Sequence, residues 1–215
     1  MGALARLLLA SGAIPDLADL AAARGRNAVL IPTAANELAE PRIADEVEAE
    51  LGAGGFCVRR LDLDRSRPAE AHALTTHADV IAVSGGDPFH LLAASRRARF
   101  GETLRGALRA GAVYIGYSAG ATLVAPTLTP LVMTSPFSPP RGMDLSGLGL
   151  VDVLVLAHDD RPGRRERHEA AARLFGSRLA LVALADGEVL IHDHGAYRRG
   201  GDGARRGRAP RRPDP

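Results

Sequence analysis

The chain has a single cysteine, Cys57, no lysine, and no apolar run near the roughly 18 to 20 residues of a membrane-spanning helix. A lone cysteine cannot close an internal disulfide, so nothing calls for an oxidising compartment and the cytoplasm is the expected location. The greasiest stretch, residues 148–157, is interrupted by Asp152, which predicts a soluble chain with no membrane partner. Near the start, Arg6 followed by Leu7-Leu8-Leu9-Ala10 mimics a signal peptide but falls short of an h-region of about 7 to 15 apolar residues. It reads instead as a first buried strand. Without lysine, all 27 basic residues are arginine, and with abundant alanine this marks a compositional bias that carries no chemistry.

What is present suits one domain: 215 residues, 46% of them hydrophobic, suffice for a single substantial core. The formal charge of +2 is uneven. Residues 198–215 hold seven arginines against Asp202 and Asp214, which leaves 20 basic and 23 acidic residues elsewhere from totals of 27 and 25. A basic tail can bind nucleic acid. This one is rich in Gly and Pro and has no apolar periodicity, so residues 198–215 are expected to be disordered, with no nucleic-acid partner. A single folded domain is expected over 1–197.

Short apolar runs of β type recur at 5–9, 28–32, 57–63, 79–84, 112–117, 151–157 and 179–183. They read as strands buried on both faces of a parallel sheet. Helical patterns lie between them at 40–51, 88–99, 101–110, 119–124 and 164–175. The fold class expected is α/β, a mostly parallel twisted sheet with helices on both faces. In such a sheet the ligand site lies beyond the carboxyl ends of the strands. Three loops there are rich in chemistry: Ser84-Gly85-Gly86-Asp87-Pro88, Gly116-Tyr117-Ser118-Ala119-Gly120 and His158-Asp159-Asp160. The Pro, Ser and Gly-rich stretch 127–149 is either a surface loop or an active-site cover.

Gly116-x-Ser118-x-Gly120 fits a nucleophile elbow, in which glycines relieve crowding around a serine on a strained strand-to-helix turn. With 24 glycines the pattern arises by chance in about one such chain in ten, so context decides. Val113-Tyr114-Ile115 precedes it as a strand and Ala119 opens a helix; the bland reading is a packed small-residue junction. A serine hydroxyl needs a base within hydrogen-bond reach, and the base needs a third group to fix its tautomer. Of seven histidines, His158 is best placed, directly after the strand-like Val153-Leu154-Val155-Leu156; otherwise it is an exposed loop histidine. His72 and His77 fall near a polar helix or turn, His90 and His168 on helices, and His192 and His194 on a last strand, all read as surface positions. Two histidines in His192-Asp193-His194 without a third clear ligand do not make a metal site. Asp186 follows another strand and is the candidate orienting acid, although Asp186-Gly187 also fits a plain turn. Asp159 and Asp160 are the alternatives.

These residues resemble the peptidase E and cyanophycinase family of serine peptidases, over residues 7 to about 191. The specific pieces are Val83-Ser84-Gly85-Gly86-Asp87-Pro88-Phe89-His90-Leu91-Leu92 and Gly116-Tyr117-Ser118-Ala119-Gly120-Ala121. The resemblance implies a fold like the class I glutamine amidotransferases, with Ser118 as nucleophile, His158 as base and Asp186 where peptidase E carries a glutamate in a Pro-Glu-Gly turn. The acid that the family carries shortly after its serine falls here near Met133, which favours Asp186. An oxyanion hole from the backbone N–H groups of Gly86 and Ala119 is also implied, and a glycine at 86 lets backbone approach a substrate closely. Asp87 would contact substrate and in any case suits a helix N-cap. The segment after His158 departs from the aspartyl dipeptidase, leaving the preference for an N-terminal aspartate open, and the closing strand pair looks shortened.

The expected activity is therefore hydrolysis of short peptides by a monomer or homodimer, with no metal or organic cofactor. An α/β-hydrolase esterase is the first alternative. It would need the order serine, acid, histidine, using Asp160 with His192 or His194, whereas Ser118, His158 and Asp186 run in a different order. A non-catalytic binding protein that keeps the fold is the second.

Overall fold

In a computed structural model of the chain, the described residues are 6–12, 23–39, 42–193 and 195–201. In chain order they form β1 (Arg6–Ala10), β2 (Asn27–Ile31), a 3-10 turn (Thr33–Ala35), α1 (Arg42–Ala53), β3 (Cys57–Arg60), α2 (Pro68–Thr76), β4 (Val80–Val83), α3 (Pro88–Arg97), α4 (Phe100–Arg109) and β5 (Val113–Tyr117). After these come α5 (Ala119–Leu123), α6 (Leu131–Thr134), β6 (Val153–Ala157), α7 (Arg164–Phe175), β7 (Ala180–Leu184), β8 (Glu188–Asp193) and β9 (Ala196–Gly201). Seven strands make one sheet in the order β3-β2-β4-β5-β1-β8-β9. Its first five are parallel, and β8 and β9 add an antiparallel edge.

Side chains alternate across this sheet because successive Cβ atoms in a strand point to opposite faces. Leu7, Leu9, Ile31, Ile81, Val83 and Tyr114 pack on one face with α3, α4, α5 and β6. Leu8, Leu30, Val80, Ile115 and Tyr117 pack on the other with Val47 and Leu51 of α1. Helices on both faces match the α/β expectation. The helix α3 begins where its sequence says it should: Asp87 accepts from the N–H groups of Phe89 (2.8 Å) and His90 (3.2 Å), Pro88 stands in the first turn, and Arg96 and Arg97 close the last.

Three expectations change, and one helix, α2, is absent from the helical patterns read in the sequence. The strands do not all join one sheet: β6 and β7 form a parallel pair of their own, packed through Leu154, Val155 and Val182 into the core on one face. The run at 57–63 is not buried on both faces, since β3 is an edge strand whose Arg60 reaches the carboxylates of Asp45 and Glu48 on α1. The helix α2 escapes an amphipathic pattern because Ala71 and Thr75 are its only buried positions. Finally, the tail expected from residue 198 and the shortened closing pair give way to a full β8–β9 hairpin of six residues on each strand, which takes in residues 198–201. The Tyr197 ring lies tilted against His192 with centroids 4.9 Å apart, and Arg199 donates to the Ala183 carbonyl at 3.0 Å, so this strand is held by polar and aromatic contacts that an apolar periodicity does not reveal. Residues 202–215, the remainder of the expected tail, and His194 lie outside the described residues.

Glycine is required only at certain junctions. A Cβ on Gly120 would lie 2.3 Å from the Val83 carbonyl oxygen, whereas one on Gly106, exposed in α4, meets nothing within 4 Å. Gly120→Ala should therefore destabilise the protein by about 1–3 kcal/mol through overpacking. Gly106→Ala should stabilise it by about 0.5–1 kcal/mol, because alanine loses less backbone entropy in a helix. Chemical denaturation of both variants checks the pair of opposite signs.

Candidate active site

Ser118 follows β5 and takes the N-cap position of α5 at φ 48° and ψ −102°, outside the regions a residue with a Cβ prefers. Gly116 and Gly120 make this turn possible, since a Cβ on Gly116 would sit 2.5 Å from the Gly120 backbone. The buried Tyr114 hydroxyl donates to the Gly120 carbonyl at 2.7 Å, and the Ser118 N–H donates to Ala10 at the end of β1 at 2.8 Å.

His158 follows β6 in the left-handed region, at φ 67°. Its Nε2 lies 2.9 Å from Ser118 Oγ, and its Nδ1 lies 2.5 Å from Asp186 Oδ1 in the turn after β7. The three residues singled out as nucleophile, base and acid thus form one continuous chain of contacts. Arg161 Nε donates to the other Asp186 oxygen at 2.7 Å. The two alternative acids are engaged elsewhere: Asp159 binds His168 Nδ1 at 2.9 Å, and Asp160 accepts the Asp186 N–H at 2.9 Å.

Burial draws the His158 imidazole below its ordinary value of 6.5; Asp186 works against that, and the nearby cations Arg161 and Arg164 add to it. For Asp186, burial acts to raise the carboxyl, but hydrogen bonds from His158 and Arg161 outweigh it and hold the group below 3.8. A neutral imidazole beside an ionised carboxylate is the state a general base needs.

Ser118 and His158 open into a cleft of about 190 Å³ that Gly86, Ala119, Phe137, Arg161 and Arg164 help to line. Gly86 has φ 140°, and a Cβ there would lie 1.9 Å from the Ala34 carbonyl oxygen, so this loop passes where only glycine fits. Among the described residues, the N–H groups of Gly86 and Ala119 donate to no other protein group. Asp87 caps α3 as its own chemistry predicts, and it is Pro88 that lines the cleft.

The stretch 127–149 contributes one wall. Residues 134–137 line the cleft, and Arg164 ties this wall down by donating to the Thr134 carbonyl. Histidines away from Ser118 differ in setting: His72 and His77 are exposed, His90 bonds Asp64 at 2.7 Å, and His192 faces Tyr197. His168, expected at the surface, is only 4% exposed and lines the cleft wall. Sequence reading missed Arg161, Arg164 and Ser11, whose hydroxyl touches both His158 and Asp186. Ser11 could have been found by applying to β1 the strand-end rule used for the other three loops.

Comparison with known proteins gives the family and the fold. The model of peptidase family S51 matches residues 7–199. Peptidase E of Salmonella typhi is 27% identical over 194 residues, covering 88% of this chain and 82% of that protein. An uncharacterized peptidase of Pasteurella multocida is 33% identical over 137 residues, or 63% of this chain and 66% of that one. Among solved structures, a candidate peptidase E of Listeria monocytogenes EGD-e superposes with a TM-score of 0.82 at 22% identity, covering 93% of this chain and 99% of that one. A peptidase from an acI-B1 Actinobacterium gives a TM-score of 0.65 at 22% identity, covering 93% and 88%. With the elbow, the fold and nearly the whole chain in agreement, this protein belongs to peptidase family S51 and is a serine-type peptidase.

Proposed function

We propose that the protein hydrolyses short peptides through an acyl-enzyme on Ser118, with His158 as general base and acid and Asp186 as the orienting carboxylate. The carrying observation is the unbroken relay from Ser118 Oγ to His158 Nε2 at 2.9 Å and from His158 Nδ1 to Asp186 Oδ1 at 2.5 Å. As Ser118 Oγ attacks the scissile carbonyl, its proton passes to His158 Nε2 while Nδ1–H stays bonded to Asp186. The Gly86 and Ala119 N–H groups stabilise the oxyanion. His158 then returns the proton to the leaving amine, and a water activated by the same nitrogen hydrolyses the ester. The scheme needs no metal or organic cofactor.

A cleft of about 190 Å³, walled by residues 134–137, suits a short peptide better than a long extended chain. No described helix is long and apolar enough to cross a membrane, and cytoplasmic turnover of small peptides is the setting we favour. An α/β-hydrolase arrangement, which would use Asp160 with His192 or His194, is disfavoured because Ser118 Oγ already meets His158 and Asp160 is occupied by the Asp186 N–H.

A panel of dipeptides and blocked peptides read by mass spectrometry, including Asp-X and β-linked Asp-Arg, identifies the substrate. On the best member, Ser118→Ala should lose about 10⁴-fold or more in turnover, and His158→Ala should fall within roughly tenfold of it, because the two act as a unit. Retention of a tenth of the activity by Ser118→Ala would exclude it as nucleophile. Asp186→Asn should cost about 10⁴-fold by favouring the wrong tautomer. Asp186→Glu should cost no more than about 100-fold, the effect of an ångström-scale misplacement.

The pH profile follows from the direction of the His158 shift. A depressed imidazole stays neutral and competent down to pH values below 6.5, and activity is lost as pH falls through the folded-state value. The acid limb of kcat/KM should lie below pH 6.5 and move upward in Arg161→Gln, which removes a cation that disfavours imidazolium. An acid limb at pH 7 or above in the wild type would contradict the assignment.

A further inference from the structure

Ser11 stands at the end of β1, is 0% exposed, and belongs to none of the sequence motifs. Its hydroxyl accepts the backbone N–H of His158 at 2.7 Å and donates to Asp186 Oδ1 at 3.3 Å, the same oxygen that His158 Nδ1 contacts. Its own N–H is fixed by the Glu188 carbonyl at 3.1 Å. One side chain therefore touches the backbone of the base and the carboxylate of the acid, which come from the turns after β6 and β7. Those two strands form a separate sheet from β1 and β5. The preceding residue, Ala10, accepts the Ser118 N–H at 2.8 Å. The last residue of β1 and the one that follows it thus hold the serine on one side and the histidine with its acid on the other.

The need for such a clamp is visible in the backbone. His158 has φ 67°, a conformation that costs a residue with a Cβ on the order of 1–3 kcal/mol unless its surroundings enforce it. Its N–H is the group that Ser11 captures. Asp186, a third exposed, is pulled the other way by Arg161 at its outer oxygen.

We infer that Ser11 is a positioning residue for peptide hydrolysis, which sets the register between the sheet carrying Ser118 and the sheet carrying His158 and Asp186. The inference rests on the Ser118, His158 and Asp186 assignment above. Ser11 touches no substrate and acts through the imidazole.

The test uses the full chain and the best dipeptide from the panel. Ser11→Cys keeps a small side chain but replaces the hydroxyl by a weak donor and acceptor, and Ser11→Ala removes it. Both should lose about 10- to 100-fold in kcat with KM within about twofold, the cost expected of an ångström-scale displacement of a catalytic group. Ser11→Thr, which restores a hydroxyl, should recover most of the loss. Coupling provides the second readout: adding Ser11→Ala to Asp186→Asn should cost little beyond Asp186→Asn alone, because contacting residues in one network are not additive. Wild-type kcat in folded Ser11→Cys and Ser11→Ala, or a lowered Tm with unchanged kcat, would overturn the inference. Full additivity with Asp186→Asn would overturn it as well. Near-wild-type activity of Asp186→Asn by itself would instead bring down the triad assignment, so the two failures are told apart.

Discussion

Ser118 occupies φ 48° and ψ −102°, and the rest of the site is arranged around keeping it there. Backbone of this kind costs on the order of 1–3 kcal/mol and persists only where neighbours over-determine it. Here the restraints come from three directions: the Ser118 N–H is tied to Ala10, its carbonyl accepts the Thr122 N–H at 3.2 Å, and Tyr114 holds the Gly120 carbonyl from beneath. Missing Cβ atoms at Gly116 and Gly120 let the turn close against β4 and α5. The result is a hydroxyl lifted out of the sheet toward His158.

That histidine arrives from outside the main sheet, which makes the site a junction between two layers of the fold. β5 delivers Ser118, β6 delivers His158 and the turn after β7 delivers Asp186, all at carboxyl ends of parallel strands. The electrostatics follow from this placement. Partial burial keeps the imidazole neutral, while Arg161 and His158 together keep Asp186 ionised. Arg164, from the first turn of α7, binds the wall at Thr134, so the helix that follows the base also shapes the cleft it faces.

The parts of this arrangement legible in the sequence are those written in local chemistry. A serine between glycines after a β run, a histidine and an aspartate each at the end of an apolar strand, and Asp87-Pro88 opening a helix all have local causes, and all lie where those causes put them. The strand β9 pairs locally with β8 but is written in arginine, glycine and tyrosine rather than in apolar alternation, whereas the division into two sheets and the burial of His168 depend on packing between distant segments. No window of sequence contains it. Ser11 illustrates the difference: its hydroxyl meets residues 147 and 175 positions away. Ser11-Gly12, just past the end of β1, forms no recognisable motif.

Peptide hydrolysis by this site is proposed to pass through an ester on Ser118. Acid quenching of the enzyme during turnover of its best peptide, followed by tryptic mapping, tests it directly, since the absence of cleavage sites between Arg109 and Arg141 places Ser118 in a single fragment, residues 110–141. The expected result is a mass increase equal to the substrate acyl group on that fragment, localised to Ser118 and absent from Ser118→Ala. An acyl group found on any other residue would contradict it.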